Sequence, residues 1–208
     1  MGKVIKFLDI HKQDKKIQKL FISKLEESFK KTDFILGSAV NDFEKKFSEY
    51  CSIKYSVGCA NGTDALYLAL KTLNLPKNSE VIVPAMTWIS TVLSIVNCGL
   101  KPILVDVDKK NSLISIDEIK NKINKKTKVI MPVHLYGGVV DIKEIRKIIG
   151  KKKIFIIEDA AQAHGALDDY GNKIGKFSDL TCFSFYPGKN LGCYGDGGAV
   201  ITNNFLYY

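Results

Sequence analysis

A chain of 208 residues with 46% apolar and 25% charged side chains has the balance of a globular protein and, at about one domain's length, enough interior for a real core. Sixteen Gly, five Pro and five Cys exclude a disordered tail, a collagen-like repeat and a disulfide-stapled scaffold. The 31 Lys+Arg outnumber the 22 Asp+Glu by nine, but the excess is nearly all Lys on stretches such as 120–128 and 151–153. It reads as solvated helix faces, with no basic stripe interleaved with aromatics to suggest a nucleic-acid partner.

The cysteines (Cys51, Cys59, Cys98, Cys182, Cys193) are odd in number and form no CxxC pair, so they read as reduced core thiols of a cytoplasmic protein. No metal site is expected. The start of the chain has no apolar signal region and no stretch reaches the length of a membrane span, so no membrane partner is expected either.

In chain order, the periodicity predicts helices over Lys12–Lys31 and Val40–Tyr50, the second with Phe43, Phe47 and Tyr50 on one face. Short β-branched runs then alternate with helical patterns. Strand Tyr55–Ala60 precedes helix Asp64–Asn74; strand Glu80–Pro84 precedes helix Ile89–Cys98; strand Pro102–Asp106 precedes helix Ile116–Ile123. Strand Lys128–Val133 leads to helix Ile142–Ile149, and strands Lys153–Glu158, Leu180–Phe185 and Gly198–Thr202 complete the set. Strands apolar almost throughout belong to a mostly parallel sheet covered on both faces. The fold class is therefore α/β, an open, doubly wound, seven-stranded sheet sandwiched by helices.

Ligands of such sheets sit beyond the carboxyl ends of the strands, and four of those places carry unusual residues. Asn61-Gly62-Thr63-Asp64 is either a phosphate seat at a helix N-terminus or a cap made by Asp64 or Thr63. Pro84-Ala85-Met86-Thr87-Trp88 carries the sole Trp, which either fills the core or covers a flat ligand ring. In Ile154–Gly165, four apolar residues run into Glu158 and Asp159, and a carboxylate buried there needs a positive or donating partner. Gln162 and His164 follow closely enough to line the same cavity. In Cys182–Gly192, a strand ends at Pro-Gly and delivers Lys189 among apolar and small residues. A lysine there is either a nucleophile toward carbonyls or a side chain snorkelling to the surface. Gly188-Lys189-Asn190 lacks the Ser/Thr and upstream Gly of a P-loop. Gly192–Gly198 precedes a strand, where a dinucleotide fingerprint needs a helix.

The ordered segments GCANGTDAL, VPAMTW, PVHLYG, IIEDAAQAHGA and FSFYPGKNLGCYGDGGA, spread from about Phe34 to Asn203, resemble the pyridoxal-phosphate-dependent sugar aminotransferases of the DegT/DnrJ/EryC1/StrS family. The resemblance implies an aspartate-aminotransferase-like (fold type I) large domain over 34–208, with residues 1–33 as an N-terminal helical arm. It implies Lys189 as the lysine that bonds the cofactor, Asp159 as the partner of its pyridine nitrogen, and Gln162 as the neighbour of its phenolic oxygen. Gly62, Thr63 and Ser184 match phosphate contacts, and Trp88 the ring-stacking position. The implied reaction moves an amino group from glutamate to a keto group of a nucleotide-linked deoxyhexose, at carbon 3 rather than carbon 4, in a homodimer.

Relatives continue past the last strand into a C-terminal small domain that closes the pocket, so the chain is expected to be the truncated large domain. The alternative is a non-catalytic remnant that keeps the fold. A related sugar dehydratase is a weaker reading, because it carries histidine where this chain has Lys189.

Overall fold

The computed structural model describes residues 4–5 and 15–208. The chain divides into two compact units, and the division falls between Phe43 and Glu44. In the first, helix α1 spans Lys15–Lys31; residues 12–14 of the predicted helix lie outside the described residues. Lys30 and Lys31 in its last turn complement the helix dipole. Asp33 Oδ2 accepts the Ser38 N–H and hydroxyl at 2.9 and 2.6 Å, which starts helix α2 (Ser38–Cys51).

The second unit holds the end of α2 and the sheet. In order come β1 (Tyr55–Cys59), α3 (Gly62–Thr72), β2 (Glu80–Pro84), α4 (Ile89–Asn97), β3 (Lys101–Val105) and α5 (Ile116–Lys122). They are followed by β4 (Thr127–Ile130), α6 (Ile142–Ile149), β5 (Phe155–Asp159), β6 (Leu180–Ser184) and β7 (Gly198–Thr202). Every predicted strand is present in one sheet of order β1-β7-β6-β5-β4-β2-β3. Only β7 runs against its neighbours, antiparallel to β1 and β6. The start of β7 therefore lies at the same sheet edge as the carboxyl ends of the other six strands.

Strand periodicity sorts the core into two layers. Val81, Val83, Val129 and Ile157 pack with Ala65, Leu66, Ala69 and Leu70 of α3 and Ile95 of α4. Their alternates Ile82, Ile130 and Ile156 pack with Ile119 of α5 and Ile142, Ile145 and Ile149 of α6. On that second face, beyond β5, Phe47 meets Phe183 and Phe185 edge-on, each at 5.1 Å between centroids. Apolar runs without alternation thus arose because both faces of the sheet are covered.

Strand β4 stops three residues short of its predicted end. Met131 still donates to the Ile82 carbonyl at 2.8 Å, but Pro132 has no N–H to continue the ladder. Val133 returns only as a single bridge to Asp159. The released chain turns through Leu135–Gly137, with Tyr136 at φ 56°, and this turn enters the wall of the site.

Candidate active site

At the carboxyl edge of the sheet lies a cavity of about 630 Å³, within the range of small-ligand pockets. Gly62, Thr63, Trp88, Asp159, Gln162, Ser184 and Lys189 all line it. The sheet order explains the convergence, since these residues end or follow β1, β2, β5 and β6, and Asp196 and Gly197 precede the antiparallel β7.

Asn61, not Asp64 or Thr63, caps α3: its Oδ1 accepts the Asp64 N–H at 2.9 Å. The first-turn N–H groups of Gly62 and Thr63 have no hydrogen-bond partner among the described residues, and a helix N-terminus with open donors favours an anion. The Thr63 hydroxyl bonds Ser90 Oγ at 2.8 Å, and Ser184 Oγ accepts the Tyr186 N–H at 3.4 Å. Gly62 is required for this closeness, because a Cβ there would lie 2.6 Å from Ser184 Cβ. A Gly62→Ala chain should lose about 1–3 kcal/mol of stability through overpacking, together with anion affinity. Urea melts and phosphate-ester titrations check both.

The two adjacent carboxylates of β5 face opposite sides. Glu158 is buried on the α5–α6 face, where Oε1 accepts the Gly175 N–H (3.0 Å) and the Thr181 hydroxyl (3.1 Å). Its Oε2 lies 2.6 Å from His134 Nε2. Because His134 Nδ1 accepts the Val140 N–H at 3.1 Å, the network assigns the proton to Nε2, which donates to Glu158. This pair ties the turn after β4 to β5. Removing one partner strands a buried polar group, so His134→Ala should cost about 3–5 kcal/mol in denaturant unfolding.

Asp159 faces the cavity and is 5% exposed. Its Oδ1 accepts the Ala161 N–H at 3.1 Å and its Oδ2 the Thr91 hydroxyl at 2.8 Å. Burial pushes its carboxyl above the ordinary range, opposed by those two hydrogen bonds and by His134 and Lys189. Two donors leave unfilled an anion able to accept about four, so the carboxylate suits a cationic donor entering the cavity. Lys189 is half-buried, and burial lowers its pKa against the pull of Asp159. It is the only cationic side chain on the cavity wall among the described residues.

Trp88 is 72% exposed and lines the cavity, which rules out the core-filling alternative. Gln162 Oε1 accepts the Tyr136 N–H at 2.8 Å, which leaves its Nε2 as the donor available to a ligand. His164 does not line the cavity, contrary to expectation; its ring packs on Phe183 and Phe185 at 5.3 and 5.5 Å. Sequence reasoning singled out none of Ser90, Thr91, Tyr186 and Asp196, and it named Asn61 and Thr87 only as parts of the Asn61–Asp64 and Pro84–Trp88 segments. Ser90 and Thr91 lie in the first turn of α4 and Thr87 just ahead of its N-cap Trp88, so a cluster of hydroxyl residues at a helix start was the available signal for three of them. The cysteines are all free, and burial pushes the Cys51 thiol up to about 12 and Cys59 to about 11. Cys51 and Cys182 are buried, and Cys59, Cys98 and Cys193 are partly buried.

The family model of the DegT/DnrJ/EryC1/StrS aminotransferase family matches residues 15–206. The chain belongs to this family. A dTDP-3-amino-3,4,6-trideoxy-alpha-D-glucose transaminase of Micromonospora megalomicea subsp. nigra is 41% identical over 180 residues, 86% of this chain and 48% of that protein. DesV of S. venezuelae, solved in complex with a ketimine intermediate, superposes with TM-score 0.93 at 36% identity over 98% of this chain and 54% of that one. NtdA of Bacillus subtilis, with bound cofactor PMP, gives 0.91 at 34% identity over 98% and 46%. The fold of this DegT/DnrJ/EryC1/StrS chain is that of the fold type I enzymes, and it spans about half the length of the curated relatives it matches.

Proposed function

We propose that this chain is the cofactor-binding part of a pyridoxal-phosphate-dependent aminotransferase that moves the amino group of glutamate to a keto group of a nucleotide-linked deoxyhexose. One observation carries the proposal: Lys189 and the buried Asp159 line one cavity that also holds the open N-terminus of α3. When bound, pyridoxal phosphate supplies an aldehyde for amines and a ring that takes up the electrons released as a C–H proton leaves. Each residue has a matching task. Gly62 and Thr63 N–H groups, with the Ser184 hydroxyl, would bind the phosphate, while the Thr63 hydroxyl donates to Ser90 Oγ. Asp159 holds the proton on the ring nitrogen, and Gln162 Nε2 donates to the ring's oxygen. Trp88 covers the ring face. Lys189 would hold the aldehyde carbon and would supply the amine that takes up and returns the proton as a general base and acid.

The domain read as residues 34–208, with 1–33 as an arm, has all its cavity-lining residues from Asn61 onward. The carbon-3 relative and the exposed apolar side chains Trp88, Ile89, Leu93 and Val96 support amination at carbon 3 and a homodimer. The five free cysteines support a cytoplasmic setting. No helix among the described residues is long and apolar enough to cross a membrane.

The test is the half-reaction on this chain. With pyridoxal phosphate bound, added L-glutamate should release one equivalent of 2-oxoglutarate per site and remove the visible absorbance of the bound aldehyde form. A bound cofactor that never consumes glutamate supports the non-catalytic remnant instead.

A further inference from the structure

We propose that Thr91 and Thr87 are positioning residues for Asp159, forming a hydroxyl relay that runs from the cavity wall into the carboxylate and favours its ionised form against burial. The inference rests on the cofactor reading only for its purpose; the relay itself is geometry. Thr91, in the first turn of α4, is wholly buried, and its Oγ1 lies 2.8 Å from Asp159 Oδ2. Thr87 lines the cavity, and its Oγ1 lies 2.8 Å from Thr91 Oγ1.

The direction of the relay follows from proton counting. An ionised carboxylate only accepts, and a hydroxyl has one proton. Thr91 must therefore give its proton to Asp159, and the Thr87 hydroxyl must donate to Thr91. Hydrogen bonds in series polarise one another, so Thr87 strengthens the donation that Thr91 makes.

The other groups facing Asp159 do not duplicate this. His134, from the turn after β4, spends both ring nitrogens on Val140 and Glu158. The Cys182 thiol on β6 is held neutral by burial and by the nearby Asp159. Lys189, after β6, is committed to the cofactor in the bound state. The Ala161 N–H on Oδ1 and the threonine relay on Oδ2 remain. When a carboxylate and a ring nitrogen share one proton, the more basic partner keeps it. Donation into Asp159 lowers its basicity and leaves the proton on the ring.

The experiment is a pH titration of the Asp159 carboxyl by carbon-13 NMR, on the cofactor-free chain labelled at aspartate, with Asp159→Asn assigning the signal. Thr91→Val should move the titration to higher pH, Thr91→Ser should restore it, and Thr87→Val should move it in the same direction by less. Pyridoxal phosphate affinity, measured in parallel, should fall about tenfold in Thr91→Val, the size of one hydrogen bond to a charged group, and recover in Thr91→Ser. An Asp159 titration unmoved by Thr91→Val, or a Thr91→Ser chain that titrates like Thr91→Val, overturns the relay. If Thr91→Val does not fold, Thr87→Val on the cavity wall carries the same decision, and an unmoved titration there overturns the relay. A wild-type chain that binds no pyridoxal phosphate while the titrations move as stated sinks the proposed function and leaves the relay standing.

Discussion

A Lys189→Ala chain is expected to fold and to keep no cofactor after incubation with pyridoxal phosphate, borohydride reduction and denaturation, whereas the wild type keeps close to one per chain. The loss should be complete because no second amine lines the cavity among the described residues. Burial lowers the Lys189 pKa, so more of its amine is neutral and nucleophilic at physiological pH than for an exposed lysine. The same shift has a sign in stability. The folded chain binds fewer protons than the unfolded chain between the lowered folded value and the ordinary lysine value of about 10.4. Stability from this group therefore rises with pH through that window, and Lys189→Ala should flatten that rise in thermal melts.

Asp159→Asn should change stability and binding in opposite directions. Burial raises the folded pKa of Asp159, so the folded state holds a proton that the unfolded chain has lost above about pH 3.9. Stability consequently falls as pH rises from the unfolded value through the folded one, and the loss persists at neutral pH. Asparagine removes the charge and keeps the shape. Its Oδ1 can accept the Ala161 N–H, while the Thr91 hydroxyl turns to accept from the amide and donate to Thr87. The cofactor-free variant should then melt higher than the wild type at pH 7 and match it near pH 3. With pyridoxal phosphate the order reverses. Losing one partner of a buried hydrogen-bonded charge pair costs about 2–5 kcal/mol, roughly 30-fold to several-thousand-fold in affinity. Melting curves with and without cofactor, at both pH values, check the two signs. An asparagine variant less stable without cofactor at pH 7 would show that the carboxylate is not a liability.

Much of this was legible because both the sheet and the site obey local rules. Val81-Ile82-Val83 and Ile156-Ile157 are apolar on successive residues because α3 and α4 cover one face and α5 and α6 the other. The seven named site residues converge because each sits at or after the carboxyl end of a strand, where a doubly wound sheet opens, Asp159 and Ser184 being the last residues of β5 and β6. What could not be read depends on partners distant in sequence. Thr91 finds Asp159 across 68 positions, and nothing near Thr91 announces a carboxylate. Glu158 and Asp159 look alike in sequence, yet strand alternation sends one to His134 and the other to the cavity. His164 lies two residues from Gln162, but it turns onto Phe183 and Phe185 instead of the wall. The end of β4 was readable in principle, since Pro132 cannot donate to a ladder.

The most direct measurement maps where the cofactor attaches. After one equivalent of pyridoxal phosphate and borohydride reduction, the chain is digested and its labelled peptides are sequenced by mass spectrometry. Label on Lys189 alone is the expected result. Label scattered over the many other lysines of this basic chain, with Lys189 unmodified, would contradict the proposal that the Lys189–Asp159 cavity is the cofactor site.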